Sequence, residues 1–78
     1  MRELDVVALV TDVPEHGLVT DQQGTIVHDY FAPDETDPDH ATPEAHEVEF
    51  IEETGYTIAV LTLQPHQLRL ILSYQPQP

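Results

Sequence analysis

Five histidines and fifteen acidic residues are the side chains of this 78-residue chain with the types to do chemistry. His40 and His46 flank a stretch holding Asp37, Asp39 and Glu44, and imidazole with carboxylate is a donor set that a divalent cation accepts. The spacing matches no metal-ligand pattern, and Pro33, Pro38 and Pro43 oppose the convergence a site needs, so a solvated loop and no metal are expected. The run Asp34-Glu35-Thr36-Asp37-Pro38-Asp39 resembles a calcium loop only superficially: it lacks the glycine at the turn and the glutamate at the right distance. His28, beside Asp29, reads as a surface or cross-strand residue, and His16 before Gly17 as a turn residue. The chain has no cysteine, no glycine-rich phosphate cradle, and a Ser73 without a paired His–Asp pattern. No catalytic residue and no cofactor are expected.

Binding is the remaining chemistry. The formal charge is −13, with Arg2 and Arg69 the only cationic residues besides histidine. Such a surface repels phosphate backbones and anionic lipid, which disfavours nucleic acid and membrane and leaves three readings of the acid: solubility or adaptation to high salt, attraction to a basic protein partner, and cation binding or mimicry of nucleic acid. Ten of the fifteen acids fall between Asp29 and Glu53. Exposed aromatics can anchor a partner on a small β domain. Tyr30 and Phe31 are adjacent, so in a regular strand one of them faces away from the core, and Phe50 reads as core. The partner-binding candidates are therefore Tyr30, Phe31 and Tyr56 with the acids Asp34, Glu35, Asp37 and Asp39.

The elements that must position these residues are short. Residues 5–10 are an aliphatic, β-branched run bounded by Thr11-Asp12 and Pro14, which suits a strand buried on both faces. Residues 11–23 read as a long excursion from which Leu18 and Val19 can tuck back. Gly24 marks a sharp entry or close backbone approach into a second strand at 25–31. Residues 33–45 hold three prolines and five acids and form an extended acidic loop. A third strand at 46–51 sets Val48 and Phe50 on one face against Glu47 and Glu49 on the other. Gly55 closes a tight turn into a fourth strand at 56–63. Pro65 starts a single 3-10 turn, and a fifth strand follows at 68–74, alternating Leu68, Leu70 and Leu72 against Arg69, Ile71 and Ser73. The expected fold is all-β: one small five-stranded SH3-like barrel over residues 1–74, with one 3-10 turn before the last strand and a polar tail at 75–78. Closure would remove sheet edges that the chain has no helix to cover.

Several stretches resemble one bacterial family in order. These are Leu4-Asp5-Val6-Val7-Ala8-Leu9, Asp12-Val13-Pro14-Glu15-His16-Gly17-Leu18, Gly24-Thr25-Ile26-Val27, Glu47-Val48-Glu49-Phe50, Thr57-Ile58-Ala59-Val60-Leu61-Thr62-Leu63 and Gln67-Leu68-Arg69. The chain resembles the family known as domain of unknown function 4926 over about residues 3–69. The Pro-Glu-His-Gly loop followed by Gly-Thr-Ile-Val is also similar to the barrel of the nitrile hydratase β subunit. Asp21-Gln22-Gln23 stands where family members usually carry a Gly-Asp pair, and the acidic loop is longer than usual. The resemblance implies an SH3-like architecture and no known reaction. It also suggests an antitoxin or immunity role, since members often lie beside genes for toxin-like proteins.

The acidic start Met1-Arg2-Glu3-Leu4-Asp5 lacks the features of a signal peptide, and no apolar run is long enough to span a bilayer, so a cytoplasmic protein is expected. The leading expectation is a non-catalytic protein-interaction module, an acidic partner of a basic protein. The alternatives are an accessory or structural domain whose acids adapt it to a saline cytoplasm, and a small-molecule or metal-binding module. Nothing in the sequence selects an oligomeric state.

Overall fold

The computed structural model describes residues 1–32, 42–52 and 54–75. Its elements are β1 (Val6–Leu9), a 3-10 turn (Pro14–His16), β2 (Gln23–Tyr30), β3 (Ala45–Ile51), β4 (Thr57–Leu63), a second 3-10 turn (Pro65–Gln67) and β5 (Leu68–Leu72). The strands form one antiparallel sheet in the order β4-β3-β2-β1-β5. The fold is therefore all-β with five strands and one 3-10 turn before the last, as the sequence predicts. No helix among the described residues is long and apolar enough to cross a membrane.

The two end strands of this order are neighbours in sequence, and that forces the sheet to curl. Four intervening strand spacings would separate β4 and β5 by about 19 Å in a flat sheet. The link from Leu63 to Leu68 is one extended residue and a three-residue 3-10 turn, which reaches about 14 Å at most. The ends of the sheet must bend toward each other at that corner. Leu63 and Leu68, on either side of the link, are both buried in the same apolar cluster. Among the described residues the ladders stop short of joining β4 to β5.

The core is built by alternation. Val7 and Leu9 of β1, Ile26 of β2, Val48 and Phe50 of β3, Leu63 and Leu68 fill it, joined by Val13 and Leu18 from the first loop. That loop is more structured than its sequence predicts. Pro14 starts the turn, Gly17 ends it in the left-handed region (φ 70°), and Val13 bridges to Leu18. Leu18 tucks under the sheet, whereas Val19 stays exposed. Asp12 clasps the far side of the loop through Thr20, whose backbone N–H (2.7 Å) and hydroxyl (2.8 Å) both donate to its Oδ1.

Gly24 lies inside β2, opposite Val7, rather than ahead of the strand. Its φ is ordinary; the constraint is space. A Cβ there would lie 2.8 Å from Cγ1 of Val48 and 2.9 Å from Cδ1 of Phe50. At the far end, β5 stops at Leu72 and only Leu68 of its three alternating leucines is buried. The side chain of Asp5 takes over from the ladder there, its Oδ1 accepting from the N–H of Tyr74 at 2.8 Å. Its Oδ2 accepts from the N–H of Arg2 at 2.8 Å, so one buried carboxylate links Arg2 to Tyr74.

Candidate protein-interaction surface

An extra residue in β2 decides which side chains face where. Ile26 opposes Val48, but the next paired residue is His28, opposite Glu47. Val27 is the bulged residue, and beyond it every side chain changes face relative to strict alternation. Thr25, His28 and Tyr30 thus line the outer face beside Glu49, Glu47 and Ala45. Asp29 turns toward the core side, opposite His46.

The outer face mixes acid with apolar surface. Glu49 accepts from the hydroxyl of Thr57 on β4 (3.2 Å) and opposes Val60. Tyr30 lies edge-on to the His28 ring, with centroids 4.6 Å apart. Its phenol is held above its ordinary range by partial desolvation first, then by the charge of Glu47 and a hydrogen bond to that carboxylate. His28 Nδ1 stands 3.5 Å from Glu3 Oε1. A depression of about 270 Å³ on this face is lined by Val6, Gln23, Gly24, Thr25, Glu49 and Ile51.

Of the residues the sequence nominates, Tyr30 and Tyr56 are exposed but not adjacent. Tyr30 opposes Ala45 at one end of β3, and Tyr56 lies beyond the Ile51–Thr57 pair at the other, about 20 Å away at strand spacing. Phe31 is half-buried, with the guanidinium of Arg2 5.4 Å from its ring centroid. Asp34, Glu35, Asp37 and Asp39 lie outside the described residues, as does His40. His16 does sit in a turn, and His28 on the surface, as expected.

The sequence reading misses the role of His46. Its ring is buried and its Nδ1 donates to Asp29 Oδ1 at 2.7 Å, an arrangement of core packing rather than loop chemistry. The parity of the third strand carries the signal, because position 46 shares the face of Val48 and Phe50. Among the described residues no cluster of three or more histidines and acids is placed to hold a metal ion.

A second concavity, of about 280 Å³, runs between the first loop and β4. It is lined by Asp12, Val13, Glu15 and His16 from the loop, by Leu61, Thr62 and Leu63 from β4, and by Gln67 from the second 3-10 turn. The two bonds from Thr20 hold the Asp12 carboxyl below its ordinary range, the backbone bond contributing most.

Comparison with known proteins adds one finding. A family model described as "Domain of unknown function (DUF4926)" matches residues 3–70. No curated protein matches the chain, and no solved structure does.

Proposed function

We propose, starting from the fact that the chain belongs to the DUF4926 family and that this description assigns no activity, that the protein is a non-catalytic interaction module for a basic protein partner. One observation carries the reading. Fifteen acids face two arginines, and each arginine is already engaged within the molecule. Arg69 Nη2 donates to Asp21 Oδ1 at 3.1 Å, and Arg2 stacks over Phe31. The acids of the outer face, Glu47 and Glu49 among them, are set among exposed apolar side chains such as Ile51 and Val60. A surface of that kind attracts a partner with complementary charge and offers it apolar area to bury. Masking a basic toxin-like protein, as an antitoxin or immunity protein does, is the specific form this role would take.

Purification of the tagged chain from its native cells tests the reading. The expected result is a stoichiometric basic partner that salt releases and that Glu47→Gln with Glu49→Gln loses. Recovery of no basic partner, or of one that salt does not release, contradicts it.

The absence of lysine and the presence of acids on several sides of the molecule also favour a second reading, adaptation to a saline cytoplasm. In that case molar salt raises the melting temperature strongly by relieving self-repulsion, and no partner is recovered.

A further inference from the structure

We propose that the open edge of β4 receives an extended, lysine- or arginine-bearing segment of the partner protein, added to the sheet as a further strand along the neighbouring cleft. The inference rests on the basic-partner reading and names the surface and the mode of binding. Sheet edges expose unpaired N–H and C=O groups, and proteins commonly blunt them with charge, proline or a covering element. β4 itself carries neither charge nor proline. Its seven residues, Thr57–Leu63, include no charged side chain, proline or glycine, in a chain of which 22% is charged. Among the described residues β3 is its only strand partner. The other edge, β5, carries Arg69 and is followed directly by the Tyr74–Asp5 bond.

The cleft says what kind of segment fits. One wall is β4 itself, at Leu61, Thr62 and Leu63; the other presents Asp12 and Glu15. Asp12 is oriented by Thr20 through Oδ1 alone, and among the described residues neither its Oδ2 nor Glu15 meets a cation. A strand laid on β4 would gain main-chain hydrogen bonds from the edge, apolar contact from Val13 and Leu61, and charge pairing from Asp12 and Glu15. A second copy of this chain fits poorly. It would bring another charge of −13 to an acidic wall, and β4 has no cation to answer it.

The test is an NMR titration of the isotope-labelled chain at low salt with three synthetic peptides of about nine residues, the length of a long strand. One alternates lysine with valine. The second is the same peptide N-methylated at alternate amides, and the third alternates glutamate with valine. The expected result is that only the unmethylated lysine peptide binds, shifting the amides of Asp12, Val13, Glu15, His16 and residues 61–63 and slowing amide exchange along β4. Asp12→Asn with Glu15→Gln, which removes two exposed carboxylates, should weaken it roughly tenfold. Equal binding by the N-methylated peptide overturns the proposal, as does a stable dimer of the free chain with β4 amides protected. Shifts confined to Glu47 and Glu49 overturn the edge site while leaving the basic-partner reading standing. A lysine peptide as inert as the glutamate peptide overturns the proposal, and purification from native cells then decides the basic-partner reading by itself.

Discussion

His46 Nδ1 and Asp29 Oδ1 meet at 2.7 Å across β2 and β3, with the His46 side chain 1% and the Asp29 side chain 10% exposed. The second oxygen of Asp29 accepts from the N–H of Glu3 at 3.0 Å, so the pair also anchors the N-terminal turn. The contact exists because Val27 is bulged: in strict alternation from the Ile26–Val48 pair Asp29 would face out opposite Ala45. Removing His46 leaves a nearly buried carboxylate oxygen without its partner and opens space beside Val48. His46→Ala should cost about 2–4 kcal/mol in urea unfolding. A double-mutant cycle with Asp29→Ala should return a coupling of about 1–3 kcal/mol, and additive losses would show that the pair contributes nothing as a pair.

Gly24 and Gly55 separate crowding from backbone conformation. Gly55 has a positive φ of 91° and open space around it, so Gly55→Ala should cost about 1 kcal/mol. Gly24 has an ordinary φ but no room between Val48 and Phe50, so Gly24→Ala should cost about 1–3 kcal/mol. Chemical denaturation of both variants checks the order, and a Gly24→Ala variant as stable as the parent contradicts the packing described.

Asp12 should make the first loop acid-sensitive. Its folded pKa lies below the ordinary carboxyl value, so its contribution is present above that ordinary value and is lost as pH falls through the lower folded one. Thr20→Ala removes the hydroxyl bond and spares the backbone bond. Carbon-detected titration of Asp12 should then move part of the way, not all the way, toward an ordinary carboxyl.

Tyr30 has the opposite sign. Its phenol is raised, so its contribution is complete below the ordinary phenol pKa and is lost as pH rises through the raised folded value. Glu47→Gln takes away the charge but leaves the desolvation, and should lower the Tyr30 midpoint without restoring it fully. An unchanged midpoint in spectroscopic titration would mean that Glu47 does not reach the phenol.

Most of this architecture is legible in the sequence because each strand announces itself locally. The alternation of Glu47, Val48, Glu49 and Phe50 fixes the faces of β3, and Pro65 marks the turn before β5. Features that depend on pairing are less legible. A bulge at Val27 is one residue of mismatch between two strands, and neither strand's own pattern records it; the Asp29–His46 pair follows from it. The buried extent of β5 is hidden for a similar reason, since Leu70 and Leu72 alternate like core residues yet stay exposed. Of the partner-binding candidates, the aromatics could be nominated by type, but their separation along β3 depends on register. The cleft wall formed by Asp12 and Glu15 requires the fold of the first loop, which its sparse apolar pattern does not disclose.

The central claim, that an acidic surface recruits a basic partner, is tested most directly on the recovered complex. The association constant is measured against ionic strength for the parent and for Glu47→Gln with Glu49→Gln. The expected result is affinity that falls steeply as salt shortens the screening length, with a shallower dependence in the variant. Affinity independent of salt and of both substitutions would contradict the account.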